Sequence, residues 1–371
     1  MKERNFWVIW SKISGIGYTL IRRLENHFDR LENAWLANPK ELLEVSGFGN
    51  QLINVISEYK QKNDPEKIIE EHQKQNPYFC TPIDVEYPRL LLEINSPPCI
   101  LYYLGKWDEQ ESLGNTKAIA MVGTRSPSDY GKLWTRKIST ILAQNGLTIV
   151  SGMAEGIDTE AHQTCVDMQK RTIAVLGTGI DVIYPASNRK LYQKIAETGL
   201  ILSEYPAKTR PERANFPRRN RIIAGLSRAT LVIEAPLKSG ALITAQQAIE
   251  YGRDVYALPG RIDDLKSQGC LQLIANGAYI INNTEELLEK LGGVPPLDTK
   301  EQLSLFSPSI EPNLSPELAQ ILQVISSEPI LFDVILQKTG LDAGQLSSLL
   351  LELELSDLIS QLPGMRYQRK N

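Results

Sequence analysis

"AIAMVGTRSPSDYGKLWTRKISTILAQNGLTIVSG" (residues 118–152) decides the fold. An apolar run ends in glycine, a polar turn follows, an amphipathic segment closes on Asn145 and Gly146, and a second apolar run ends in Ser151 and Gly152. Strand, crossover helix and strand in that order place two parallel strands side by side. The pattern continues through "RTIAVLG" (171–177), "LILSEY" (200–205), "ATLVIEA" (229–235) and "RDVYALPG" (253–260), with helical stretches such as "GALITAQQAIEYG" between them. Runs that are apolar at nearly every position belong to strands covered on both faces. The expected class is therefore α/β, a doubly wound, mostly parallel sheet. Ligands of such sheets bind beyond the carboxyl ends of the strands, so the turns that follow them are where function is sought.

The rest of the chain brackets this region. At 371 residues the chain is long enough for several domains, and 42% hydrophobic with 23% charged residues is ordinary for a globular protein. No stretch approaches the roughly 20 apolar residues of a membrane span. The start, "MKERNFWVIWSKISG", lacks the apolar run and cleavage site of a signal peptide, so a cytoplasmic protein without membrane contact is expected. Cys80, Cys99, Cys165 and Cys270 are scattered, with no histidines at metal-ligand spacing; reduced thiols and no metal are expected.

Residues 1–75 read as a helical domain in which 11 basic residues balance 11 acidic ones. Two similar turns, "ISGIG" (13–17) and "VSGFG" (45–49), recur 32 residues apart, each ahead of an amphipathic run. Such turns resemble helix-hairpin-helix elements of DNA-binding proteins, whose backbone N–H groups can seat a phosphate. A helical domain that uses glycine only to turn tightly fits equally well, because neither turn contains lysine or arginine. Residues 76–292 hold the sheet, 293–313 read as a Gly/Pro/Ser-rich linker, and 314–371 read as three short helices and a hairpin, a winged helix. This last segment carries four basic and seven acidic residues, which favours protein contact or a structural role over DNA binding.

The strand-end turns carry the candidate site. Gly123, Thr124, Arg125 and Ser126 follow the first strand, Ser151 and Gly152 the second, Gly177 and Gly179 the third. A loop with Asn188, Arg189 and Lys190 comes next, and Lys238, Ser239 and Gly240 follow the fifth strand. Together they bring hydroxyls, helix starts and cations to one edge, which suits phosphate binding. Neither G-x-x-x-x-G-K-[ST] nor G-x-G-x-x-G follows the first strand, which lowers ATP hydrolysis and hydride transfer. Glu155, Asp158 and His162 share a helix face, but with no nucleophile beside them a capping and ion-pairing role is favoured over acid/base work. Asp181 and Glu204 read as groups that orient nearby arginines.

The densest charge lies at 204–221, with six basic residues against two acidic ones in a chain of net charge −4. Within it "FPRRNRIIAGLS" (216–227) sets Phe216 beside Arg218, Arg219 and Arg221. Arginines with an aromatic ring on a loop suit single-stranded nucleic acid, phosphates meeting guanidinium groups while a base stacks on the ring. The competing reading makes Phe216 a core anchor with arginines paired to Glu234 or Asp181. Arg221 and Asn220 are the expected structural members.

In this order, "VGTRSPSDYG", "IVSGMAEGIDTEAH", "TIAVLGTGIDVIYPASNRKL", "LILSEYP", "FPRRNRIIAGLS", "VIEAPLKSGALITAQQAIEYGRDVYALPG" and "GCLQLIANGA" resemble the DNA-processing protein A family, DprA or Smf. The resemblance implies an extended Rossmann-like domain that binds single-stranded DNA without sequence preference, forms a homodimer and loads the RecA recombinase during natural transformation. It implies no catalysis and no cofactor. By position, the family's basic pocket would involve Arg125, Arg189, Lys190, Phe216, Arg218, Arg219 and Lys238. Leu271 stands where the family usually has asparagine. The alternative from another class is a nucleotide phosphoribohydrolase of the "Lonely guy" type, but "APLKSGALITAQQAIE" lacks its P-G-G-x-G-T-x-x-E signature.

Overall fold

The apolar runs form the centre of a nine-stranded sheet in the computed structural model, which describes residues 1–115, 117–292, 316–325, 330–356, 358–362 and 365–369. In chain order the strands are β1 (Phe79–Cys80), β2 (Leu101–Gly105), β3 (Ala118–Val122), β4 (Thr148–Ser151), β5 (Thr172–Leu176), β6 (Leu200–Ser203), β7 (Ala229–Val232), β8 (Asp254–Ala257) and β9 (Tyr279–Ile280). They lie in the order β1-β2-β6-β5-β4-β3-β7-β8-β9. Strands β3 to β9 are parallel, while β2 runs antiparallel to β6 and β1 antiparallel to β2. The extended, mostly parallel sheet is the expected class.

Side-chain alternation explains the continuous apolar runs. Ala118, Ala120 and Val122 of β3 enter one core with Ile222, Ile223 and Ala245, while Ile119 and Met121 enter another with Ile138, Leu142 and Ala161. Helices Asn215–Leu226 and Gly240–Glu250 thus cover one face, and Asp129–Gln144 and Ile157–Asp167 the other. Strand order reverses at β3, whose neighbours are β4 and β7. This is the topological switch point of the sheet.

The tandem turns are helix hairpins. Gly17 and Gly49 stand at the starts of helices Tyr18–Phe28 and Asn50–Lys62, and Gly15 and Gly47, at φ +87° and +93°, need glycine. The apolar residues of both turns, Ile16 and Phe48, are buried in a core that also takes Phe79, Tyr102 and Ile180. The helical region therefore packs on the β1–β2 edge, and Met1–Thr299 forms one compact unit, with Lys300–Asn371 a second. The linker read at 293–313 lies outside the described residues.

The second unit contains helices Pro316–Val324, Phe332–Thr339 and Ala343–Leu355. Strands β10 (Ile330–Leu331), β11 (Ile359–Leu362) and β12 (Arg366–Arg369) form an antiparallel sheet in the order β10-β12-β11. Ile321, Ile335, Leu346, Leu350 and Ile359 make its core. This is the expected winged helix.

Candidate nucleic-acid interface

At the switch point the sheet opens into a cleft of about 620 Å³. Val122 of β3 pairs with Val232 of β7, so the chain leaves both strands at one level. Glu234, just past β7, holds the turn after β3. Its carbonyl accepts from the N–H of Thr124 at 2.7 Å, and its Oε2 from the N–H of Ser128 at 2.8 Å. Glu234 therefore fixes backbone, where the competing reading paired it with an arginine. Ser128, not Thr124 or Ser126, caps the following helix by accepting from Gly131 N–H at 3.1 Å. Gly156, at φ +86°, packs so closely on Thr124 and Arg125 that a Cβ would strike their backbone. The turn is thus braced from both sides, and Arg125 projects from it exposed, forming no ion pair among the described residues.

The opposite wall is a helix where a loop was expected. Asn215–Leu226 is helical from its first turn, which tolerates Pro217 because early helical N–H groups have no intrahelical partner. Phe216 is half-buried at the mouth of the cleft. A Cβ on Gly177 would come within 2.9 Å of its ring, the Arg125 guanidinium lies 5.7 Å from the ring centroid, and Tyr184 packs at 5.5 Å. Tyr184, 42% exposed, and Arg213 also line the cleft, and neither was singled out from sequence. Tyr184 stood in a turn read only for its basic residues, and Arg213 among charges given no individual role.

Arg219 corrects the sequence reading. It is 4% exposed, and its guanidinium donates to the carbonyls of Gly152, at 2.6 Å, and of Val175. Burial draws its pKa down to about 10 against the raising field of Asp158 and Tyr205. It braces the ends of β4 and β5 and is not a free cation. Arg221 is structural as expected: it forks onto Glu204 with two bonds of 2.7 Å and donates to Ser96 O at 3.0 Å. Asn220 donates to Gly240 O at 3.2 Å. Glu204 thus orients an arginine, whereas Asp181 instead accepts from Lys208 N–H at 2.8 Å.

The glycine turns divide. Gly123, Thr124, Ser239 and Gly240 line the cleft, and Ser239 caps helix Gly240–Glu250 by accepting from Ala241 N–H at 3.2 Å. Gly152 makes room for the Arg219 guanidinium and Gly177 for the Phe216 ring, so neither cradles phosphate. Gly179 is closed against Pro206 and donates to Thr209 O at 3.0 Å. Ser151 is fully buried, its hydroxyl donating to Met121 O at 2.6 Å. Ser126 is exposed outside the cleft, its N–H donating to Thr124 Oγ1 at 3.2 Å. Lys238, Arg189 and Lys190 are exposed but do not line the cleft, and Arg218 lines a separate groove. Arg189 and Lys190 begin helix Arg189–Thr198, not a loop, where their charges oppose the helix dipole. Leu271 is half-buried in helix Gln268–Ala275, away from the cleft.

The acid/base candidates are tied into the scaffold. Asp158 accepts from the N–H groups of Gly152 at 3.1 Å and Ala154 at 3.3 Å, and burial raises its pKa while Arg219 pulls it down. His162 is fully buried, its Nδ1 2.8 Å from Thr172 Oγ1, and burial draws its pKa down to about 3. Glu155 precedes the helix that carries them.

The family model for DNA recombination-mediator protein A matches residues 78–292, and that for the DprA winged helix domain matches 307–365. Protein Smf of Synechocystis sp. is 49% identical over 99% of both chains. DNA processing protein DprA of Streptococcus pneumoniae is 38% identical over 78% of this chain and 98% of its own. The X-ray structure of S. pneumoniae DprA aligns with a TM-score of 0.69 at 37% identity, over 78% of this chain and 99% of that one. DprA of Helicobacter pylori, solved for its single-stranded DNA binding mode, aligns with a TM-score of 0.52 at 32% identity, over 58% of this chain and 97% of that one.

Proposed function

The chain belongs to the DNA recombination-mediator protein A family, DprA or Smf, and from that premise we propose that it binds single-stranded DNA without sequence preference at the switch-point cleft. The observation that carries this reading is the Phe216 ring held between Arg125 and Tyr184 at the cleft mouth, with Arg213 beside it and no ion pair among the described residues to neutralise either arginine. A base unstacked from its neighbours can lie on such a ring for about 1–3 kcal/mol, while the guanidinium groups take the flanking phosphates. Every base has a face to stack, which makes the contact indifferent to sequence. A duplex keeps its bases stacked on each other and offers this cleft only its backbone.

In this reading Arg125, Phe216, Arg213 and Tyr184 touch DNA, Gly123, Thr124, Ser239 and Gly240 shape the turns that receive phosphate, and Arg189, Lys190, Arg218 and Lys238 extend the positive field along the edge. Residues 76–292 would form the DNA-binding domain, between the helical region of 1–75 and a winged helix at 314–371. The protein would act by binding and not by turnover: the carboxylate among the residues lining the cleft is Asp158, already committed to backbone N–H groups. A strand held with its bases displayed suits delivery to RecA by a homodimer in natural transformation, with the protein in the cytoplasm.

Gel shifts of a single strand and its duplex at two salt concentrations test the reading. Tighter retention of the single strand is expected, with affinity falling as salt rises because bound phosphates release counterions. Equal retention of both, or affinity indifferent to salt, would overturn it. Release of ribose 5-phosphate from AMP would restore the phosphoribohydrolase reading. Addition of the protein should also speed RecA assembly on a strand precoated with single-strand-binding protein, and sedimentation should report a dimer.

A further inference from the structure

The helix Asn215–Leu226 has a cleft on each side. Phe216, Pro217, Arg219 and Asn220 face the switch point, whereas Arg218 and Arg221 line a larger groove of about 810 Å³ between the N-terminal helices and the β2 and β6 strands of the sheet. Arg221 is consumed there by Glu204, but Arg218 is exposed and has no ion pair among the described residues. Across the groove stand exposed Lys12, half-buried Tyr18 and Gly17, the cap of helix Tyr18–Phe28.

Gly17 is not explained by the fold. Its φ of −121° suits any residue, and a Cβ there would meet nothing within 4 Å. No side chain caps the helix, so its first N–H groups are left open beside the groove. An independent feature also points to a ligand. His72 belongs to the groove wall, is 3% exposed, and its Nε2 has no hydrogen-bond partner. Burial, with the charges of Lys12 and Arg4, draws its pKa down to about 4. The ring is therefore neutral, and its unpartnered Nε2 lies enclosed in the groove wall beside Phe79 and Tyr102.

We infer that this groove is a second stretch of the single-strand path, entered from the switch-point cleft over the first turn of helix Asn215–Leu226. Arg218 and Lys12 bind its phosphates, and the open N–H groups at the start of helix Tyr18–Phe28 seat one of them. The inference rests on the single-strand reading above and adds the N-terminal helical region to the DNA path.

The test is affinity for oligothymidylates of increasing length, measured on the full chain. The wild type gains affinity with length until both clefts are filled. Gly17→Asp supplies a helix cap, so its melting temperature stays level or rises, while its carboxylate occupies the phosphate seat. Its affinity for short oligonucleotides is unchanged, and the gain with length is lost. Gly49→Asp, the same change in the second hairpin and away from the groove, keeps the full gain. Lys12→Ala lowers the dependence of log K on log salt by about 0.7 for long strands, the share of one phosphate contact, and leaves short strands alone. A full gain with length in Gly17→Asp, or an equal loss in Gly49→Asp, overturns the inference. Arg125→Ala separates the two proposals. If it leaves short strands bound normally, the switch-point reading fails; if it weakens them while Gly17→Asp changes nothing, only the second groove fails.

Discussion

The switch-point edge and the C-terminal winged helix are two regions whose folds both occur in nucleic-acid-binding proteins, and they differ in charge. The edge presents Arg125 and Arg213 in one cleft with an aromatic ring, and Arg218 and Lys238 exposed outside that cleft, all four without ion pairs among the described residues. The winged-helix segment of 314–371 carries four basic residues against seven acidic ones. Architecture alone would assign DNA to both. Placement of charge favours the first, the site proposed above, because nucleic-acid affinity is dominated by phosphate contacts.

The largest effect should come from reversing charge at the edge. Arg125→Glu with Arg213→Glu replaces two phosphate contacts by repulsion and should weaken single-strand binding by more than about 100-fold, roughly 3 kcal/mol. The folded state should barely notice, since both side chains lie outside the core. Near-normal binding by fluorescence anisotropy, with an unchanged thermal melt, would move the site elsewhere, and the winged helix would be the first place to look.

Arg219→Ala tests whether the arginine beside Arg218 belongs to the scaffold. Removing it leaves the carbonyls of Gly152 and Val175 without their donor, so stability of the first unit should fall by about 3 kcal/mol. Binding per folded molecule should change less than in the Arg125 variant. A wild-type melt with lost binding would return Arg219 to the DNA surface.

Much of this division could be read from sequence, and the part that could not has a physical cause. Strands β3 to β8 announced themselves because both faces are buried; β1 and β9 are two-residue edge strands, and β2, next to β1, is buried only at its start, so none of the three makes an apolar run. Arg125 and Phe216 were legible as a cation and a ring at strand ends. The buried role of Arg219 is hidden in the sequence because the charge-rich stretch 204–221 reads as a loop, whereas 215–226 is helical. Asn215, Arg219, Ile222, Ile223 and Leu226 are all buried, at spacings of four, three, one and three, the stripe of one helix face. Pro217 hid that stripe, and charge by itself does not say which side of a helix it occupies.

Acid should separate the two units by a smaller, graded effect. All three histidines, His27, His72 and His162, lie in the first unit, and 300–371 contains none. His162 is held near pKa 3 and His72 near 4 by burial, against an ordinary 6.5. Their folded pKa values lie below the unfolded one, so below pH 6.5 the unfolded chain takes up protons that the folded chain refuses. Stability is therefore full above pH 6.5 and declines toward pH 4, by about 1.4 kcal/mol per pH unit for each histidine. Asp158, raised by burial, works in the opposite sense at the acid end, because the folded state takes its proton first. In calorimetry the first unit should soften between pH 6.5 and 4 while a winged-helix transition holds, and His162→Gln should flatten the slope. A pH-independent first transition would mean that these rings reach water.

The smallest effect should follow removal of the winged helix. A chain ending at Gly292 keeps every residue assigned to the two clefts and loses a segment of net negative charge. Repulsion between that segment and DNA would be relieved slightly, and any phosphate contact made by Arg366 or Arg369 would be lost. Each term is small at physiological salt, where separated surface charges are screened over about 8 Å, so single-strand affinity should stay within about twofold and the salt slope unchanged. A slope lowered by about 0.7 or more would instead count one phosphate contact in the winged helix, and the contrast between the two regions would become one of degree.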